Sequence, residues 1–176
     1  MTRRGLIALL LIALLVTPAY ANDKSLHFGG GFLLGATSDN GLTYGIGAGL
    51  GKESIDDTWD WQDVRATAVG AWLGHELRKP DDILWKSFLI GQAVNMGNMI
   101  YQQEGENRHE VNGLYGDHPS TDRIYATKIA ECYLVKSVMR TKPTWSRPVL
   151  VLANLAVWGM VVNDLTHYDV PFTLWF

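Results

Sequence analysis

Two short stretches of the sequence place histidines close to carboxylates. In DKSLH, Asp23 and His27 are four residues apart, so a helix would carry both side chains on one face. In RHEVNGLYGDHPS, the residues His109, Asp117 and His118 share one polar segment. Imidazole and carboxylate groups can bind zinc or relay protons, so both stretches are candidate sites.

The candidate catalytic residues combine these stretches with an acid that follows a glycine-rich run. They are His27, Glu53, Asp23 and His118. The candidate metal ligands are His27, His109, Asp117 and His118, with no particular ion indicated. The sequence has no HExxH, GxSxG or Asp-x-Asp pattern, and it predicts no cofactor.

Each candidate also has a structural interpretation. Asp23 can cap a helix, and His27 can pack against a neighbouring helix or bind Glu53. Asp117 and His118 precede a proline and can form the turn that enters the next helix. We therefore predict that Asp23 starts a helix, that His27 contacts Glu53, and that the substitution His27→Ala destabilises the fold.

Residues 1–21 are typical of a secretory signal peptide. Arg3 and Arg4 precede an apolar run of twelve residues, and Ala19-x-Ala21 fits the cleavage site of signal peptidase. Twelve residues are too few to cross a bilayer core of about 30 Å as a helix, although an uncleaved anchor is the alternative. Cleavage would change the formal charge from −3 to −5, because the segment has two arginines and no acid. A mildly acidic chain argues against nucleic-acid binding.

The mature chain is predicted to be all-α, a glycine-packed bundle of five or six helices. Gly41, Gly45 and Gly49 are spaced by four residues, and Gly70 and Gly74 form a similar pair. Such stripes let a second backbone approach a helix closely. Glycines in the first of these regions also alternate at period two, as in a strand of a barrel. The helix is favoured because regular alternation occurs nowhere else in the chain.

The helices are expected to form two halves. Residues 22–79 are the N-terminal glycine-rich half, and residues 80–176 are the C-terminal half with a long polar loop at 102–122. Basic and acidic clusters alternate between the helices, as in multi-pass proteins that follow the positive-inside rule. Ionisable residues within 120–139 are costly in lipid unless they face protein, so a soluble periplasmic bundle is the alternative.

Three sequence elements carry a resemblance to a known family. The pattern Asp-Lys-x-x-His-Phe is followed by Gly-x-x-Lys-Glu and then by an Asp-led helix with paired glycines. Over residues 23–78 the chain resembles the YfiM-type family of small periplasmic lipoproteins of unknown function. It is more distantly similar to VanZ-like membrane proteins, which are associated with glycopeptide resistance. The matching positions are Asp23, Lys24, His27, Phe28, Lys52, Glu53, Asp63, Gly70 and Gly74.

Two departures limit what the resemblance implies. The chain lacks the cysteine of a lipoprotein signal, so lipidation is not implied. Residues 102–128 are similar to a loop of small helical membrane domains, but Gly113 stands where that loop usually has proline. The resemblance implies an envelope location and no established reaction.

The sequence predicts a non-enzymatic cell-envelope protein, bacterial or phage-encoded, that acts through helix packing and partner contacts. Expected partners are membrane lipid, another envelope protein, or a second copy that packs through the glycine stripes. The alternative is a membrane-embedded hydrolase or transferase that acts on a lipid-linked or cell-wall precursor through an Asp/His/Glu site on the outer face. The predicted location is the bacterial inner membrane, with acidic loops facing the periplasm, or the periplasm itself.

Overall fold

The computed structural model describes residues 23–57, 59–79, 82–109 and 121–166, without the side chains of 104–109 and 165–166. The predicted signal peptide lies outside the described residues. Within them the chain is helical and no strand occurs, which confirms the all-α prediction. The helices are α1 (Asp23–Thr37), α2 (Gly41–Glu53), α3 (Trp61–Arg78), α4 (Ile83–His109), α5 (Thr121–Thr141) and α6 (Ser146–Thr166), with a 3-10 helix (Pro143–Trp145) before α6.

Two helix boundaries differ from the prediction. α4 continues to His109, through residues that the sequence analysis assigned to the polar loop at 102–122. The segment QQEGENRH contains glutamine, glutamate and arginine, which favour helix and let the backbone continue past the apolar part. α6 spans Ser146–Thr166 and is longer than the predicted 149–162. The remainder of the loop, 110–120, lies outside the described residues.

The chain divides into two compact units, Met1–His75 and Glu76–Phe176, and the division falls near the end of α3. Here they are named the N-terminal unit and the C-terminal unit. The N-terminal unit contains α1, α2 and most of α3. The C-terminal unit contains the helices α4, α5 and α6.

In the N-terminal unit, α1 and α3 pack with their backbones in contact. A Cβ atom at Gly31 or Gly35 would overlap the carbonyl oxygens of Thr67 and Ala71 in α3. A Cβ atom at Gly70 would likewise overlap a carbonyl oxygen of α1. Side chains at these positions would separate the helices, so glycine on both helices permits the close contact.

α2 carries two glycine stripes with a spacing of four residues, and only the stripe that includes Gly45 and Gly49 packs on α3. A Cβ atom at Gly45 would overlap the side chain of Ala71, and one at Gly49 would press against Thr67. Gly47 and Gly51 lie on another face, where an added Cβ atom would meet nothing within 4 Å. The stripe that includes Gly45 and Gly49 therefore belongs to the interior of the N-terminal unit.

The C-terminal unit has an apolar core shared by its three helices. Its fully buried apolar side chains include Leu89, Met96, Ile100, Ile124, Leu150 and Val157. Gly91 of α4 lies against Val157 and Trp158 of α6, and an added Cβ atom would come within 2.8 Å of the Val157 side chain. α6 thus packs one face on α4.

The opposite face of α6 is apolar and exposed. Among the described residues, one segment, Pro143–Asp164, is long and apolar enough to cross a bilayer by length and composition. Only 17% of the most apolar part of this segment is buried within the protein. The core helix of a water-soluble bundle would bury a larger share of such a segment.

Candidate functional site

A polar cluster lies where the start of α1, the end of α2 and the start of α3 meet. We call it the helix-end cluster; its members are Asp23, Lys24, His27, Lys52, Glu53, Asp56, Asp60, Asp63 and Thr67. It includes three of the four predicted catalytic residues. All of its members lie in the N-terminal unit.

Local capping chemistry positions the start of α3. The Oδ1 atom of Asp60 caps the helix by accepting a hydrogen bond of 2.7 Å from the backbone N–H of Gln62. This hydrogen bond lowers the pKa of Asp60 below its ordinary value. Asp63 follows at the third helical position, where a negative charge suits the helix N-terminus.

His27 is held in place by a hydrogen bond to α3. Its Nδ1 atom lies 2.9 Å from Oγ1 of Thr67, and that hydroxyl donates to the backbone oxygen of Asp63 at 3.0 Å. Because the hydroxyl proton is already used, Nδ1–H of His27 must be the donor to Thr67. In the neutral ring the lone pair therefore lies on Nε2.

The Nε2 atom of His27 faces two carboxylates. It lies 3.7 Å from Oδ1 of Asp23 and 3.5 Å from Oδ2 of Asp63. The Asp23 side chain is 64% exposed, whereas the Asp63 side chain is 5% exposed. The predictions that Asp23 starts a helix and lies on the same face as His27 are confirmed.

Asp63 is a buried carboxylate that lacks close donors. Its Oδ1 atom accepts no hydrogen bond, and burial raises its pKa above the ordinary value. Lys24 approaches Oδ1 to 3.9 Å and Lys52 approaches Oδ2 to 3.8 Å. Both ammonium groups have a nearer carboxylate, at 3.4 Å for Lys24 with Asp60 and 2.7 Å for Lys52 with Asp56. The lysines thus stay beyond hydrogen-bond distance of Asp63.

Glu53 has a different role from the predicted one. Its Oε2 atom accepts a hydrogen bond of 2.8 Å from the backbone N–H of Asp60, and its Oε1 atom lies 3.4 Å from Lys52. The predicted contact of His27 with Glu53 is wrong, because the hydrogen bond and the ion pair of Glu53 are made with Asp60 and Lys52. Glu53 joins the end of α2 to the start of α3.

The remaining predicted site residues are not brought to this cluster by the described structure. His109 is the last residue of α4, and its side chain lies outside the described part. Asp117 and His118 lie in 110–120, also outside the described residues. A metal site formed by these three residues stays a prediction.

Asp63 and Thr67 are the partners of His27 on α3, and neither was among the predicted catalytic or metal-binding residues. Asp63 was named only as a position of the family resemblance. A signal was present, because Asp63 and Thr67 are four residues apart on α3, as Asp23 and His27 are on α1. Two facing pairs with this spacing can form a four-residue cluster when the two helices pack side by side.

The C-terminal unit contains a second polar group inside its helix packing. Gln92 donates to Glu131 at 2.6 Å, and Asn95 donates to Asp164 at 2.8 Å. Lys128, 4% exposed, forms an ion pair with Glu131 at 3.1 Å, so its charged group lies against protein. The carbonyl oxygens of Gln92 and Asn95 accept no hydrogen bond. This group links all three helices of the unit.

Comparison with known proteins assigns the chain to no family. No family model matches the chain, and neither a curated protein nor a solved structure matches it. The resemblance to YfiM-type lipoproteins stays an expectation, and function must be argued from the geometry of the chain itself.

Proposed function

We propose that the protein is a non-enzymatic component of the cell envelope, bacterial or phage-encoded, which α6 anchors in the inner membrane. The observation that supports this proposal most directly is the apolar, largely unburied face of α6. The predicted signal peptide supports export of the mature chain.

The exposed apolar residues of α6 form a continuous stripe. Its members are Val151, Leu152, Leu155, Trp158 and Val162. Four of them follow the spacing of one helical face, at steps of four, three and four residues. Water-soluble monomers rarely expose a continuous apolar surface of this kind, and lipid tails would cover it.

Side chains at the start of α6 are typical of a membrane–water interface. Lys142 and Arg147 flank the N-terminal end of the apolar segment, and Nζ of Lys142 lies 5.1 Å from the ring centre of Trp145. Basic side chains near the ends of membrane-spanning helices reach the membrane–water interface, and tryptophan is enriched there. The exported part of the chain would then contact other envelope proteins in the periplasm.

An alkaline carbonate wash of membranes tests the anchor. We expect the full chain to stay in the membrane pellet and the Leu155→Arg variant to move to the supernatant, because arginine near the centre of a spanning helix costs about 2.5–3.5 kcal/mol. Leu134→Arg is the matched control, since Leu134 of α5 is 66% exposed and Leu155 is 67% exposed. Release of the unsubstituted chain by carbonate would contradict the anchor.

A hydrolase or transferase that acts on a lipid-linked or cell-wall precursor is the second candidate function. One observation favours it: the lone pair on Nε2 of His27 faces solvent-exposed Asp23, an arrangement suited to a general base. Single substitutions of His27, Glu53 and His118 separate the two functions. Loss of precursor turnover with unchanged thermal melting supports the enzyme, whereas loss of folding supports the structural protein.

A further inference from the structure

We infer that Asp23, His27 and Asp63 form a binding site for one divalent transition-metal ion of the Zn²⁺ type. The site is independent of whether α6 lies in a membrane. It shares His27 with the metal ligands predicted from the sequence, but its other two ligands are Asp23 of α1 and Asp63 of α3 instead of residues of the polar loop.

The separations of the ligand atoms suit a tetrahedral ion. Zinc bonds of about 2.0–2.1 Å imply ligand atoms roughly 3.3 Å apart along a tetrahedral edge. The Nε2 atom of His27 lies 3.5 Å from Oδ2 of Asp63 and 3.7 Å from Oδ1 of Asp23. One ligand atom from each of the three residues lies within 4.8 Å of the others. Small side-chain rotations would complete the coordination.

The imidazole is oriented for coordination. Thr67 accepts from Nδ1–H of His27 and is itself held by the Asp63 backbone oxygen, so the Nε2 lone pair faces the carboxylates. Metal-binding histidines almost always donate their other N–H in this way, which fixes the tautomer and the ring orientation.

The unpaired oxygen of Asp63 is an independent sign of a missing cation. This side chain is more than nine-tenths buried, and its Oδ1 atom accepts no hydrogen bond. Buried carboxylates are ordinarily hydrogen-bonded or bound to a metal. Lys24 and Lys52 do not supply the bond, because their ammonium groups stay 3.9 Å and 3.8 Å away.

The charge around the site also favours a dication. The charged groups that face it from α1, α2, α3 and the segment joining α2 to α3 are Asp23, Lys24, Lys52, Glu53, Asp56, Asp60 and Asp63. Carboxylates outnumber ammonium groups by five to two in this set, so a bound divalent ion reduces the net repulsion. Asp23 is exposed and gives the ion an entry path, and a fourth coordination position stays open to water.

Titration of the purified mature chain with ZnCl₂ after EDTA treatment tests the inference. We expect one zinc per chain by calorimetry and by elemental analysis, and a zinc-dependent rise in melting temperature. Asp23→Asn removes a ligand that is mostly solvent-exposed, so this variant should fold and bind zinc more weakly by at least 10-fold. Asp57→Asn, at an exposed position near the cluster, removes the same charge and should bind as the unsubstituted chain does.

Two further variants distinguish metal binding from a structural salt-bridge cluster. Thr67→Val removes the group that orients the imidazole and should weaken zinc binding by roughly 10–100-fold. Lys52→Gln removes a cation 3.8 Å from Asp63 and should strengthen zinc binding, a result that a purely structural role would not produce. Equal zinc affinity of the Asp23→Asn and Asp57→Asn variants, or no zinc uptake by the unsubstituted chain, would overturn the inference.

Discussion

His27 contributes to folding stability through its hydrogen bond to Thr67. Its side chain is 8% exposed, and its ring is joined to Thr67 at 2.9 Å. In metal-free buffer, His27→Ala should lower the free energy of unfolding by about 1–3 kcal/mol, because it removes this bond and leaves a cavity. Urea denaturation measures the change, with Leu26→Ala at an exposed neighbouring position as control. Equal stability of the two variants would show that His27 is not a structural residue.

Glu53 acts through a hydrogen bond to the backbone. The shape of its side chain should therefore affect the free energy of unfolding more than its charge does. Glu53→Gln keeps an oxygen that accepts from the N–H of Asp60, whereas Glu53→Ala leaves that partly buried N–H without its acceptor. We expect Glu53→Ala to cost about 1–3 kcal/mol of unfolding free energy and Glu53→Gln to cost less. Equal losses in urea denaturation would instead indicate that the ion pair with Lys52 dominates.

The sequence predicted part of the helix-end cluster, and chain geometry explains the remainder. The pairing of Asp23 with His27 follows from helical periodicity alone, which any single helix provides. Asp63 joins them from 36 residues further along the chain, and only the glycine contacts of α1 with α3 bring it within 3.5 Å of His27. Glu53 was expected to contact His27, but its carboxylate accepts from the N–H of Asp60 instead.

At the scale of helices, two adjacent glycines in α1 should respond in opposite ways to the same substitution. Gly31→Ala would drive a Cβ atom into the carbonyl of Thr67, whereas a Cβ atom at Gly30 would meet nothing within 4 Å. We expect Gly31→Ala to cost about 1–3 kcal/mol or more, because two backbones must separate. Gly30→Ala should stabilise the helix by about 0.5–1 kcal/mol. Chemical denaturation of the pair checks this, and similar values for both variants would contradict the close contact.

The helices themselves were largely predictable from the sequence. The face that each helix turns toward its neighbour was less predictable. Capping acids, prolines and glycine-containing turns marked the starts of α2 and α3 within about one residue. The glycine run of α2 has two interleaved stripes with the same spacing of four residues. Sequence spacing could not distinguish them, because the choice depends on where Thr67 and Ala71 of α3 lie. The polar composition after residue 101 suggested a loop, but its helix-forming residues extend α4 to His109.

At the scale of the whole molecule, each compact unit carries an acid whose lowered pKa should link its stability to pH. In the N-terminal unit, the Gln62 N–H lowers the pKa of Asp60. In the C-terminal unit, burial alone would raise the pKa of Glu76, but hydrogen bonds from Lys136 and Lys79 outweigh it and lower the pKa. A lowered carboxyl pKa contributes stability that is present above the unfolded pKa and is lost as the pH falls through the folded one.

Glu76 makes this linkage measurable in the C-terminal unit. Its carboxylate is 2.5 Å from Lys136 and 2.8 Å from Lys79, so Glu76→Gln should destabilise the protein at pH 7 by about 1–3 kcal/mol. The difference in melting temperature between this variant and the unsubstituted chain should shrink as the pH falls below the ordinary glutamate pKa of 4.5, because protonated Glu76 loses the same ion pairs. The exposed Asp57→Asn substitution serves as the control for general charge effects. A difference of the same size at pH 3 and at pH 7 would show that the ion pairs with Lys136 and Lys79 do not stabilise the unit.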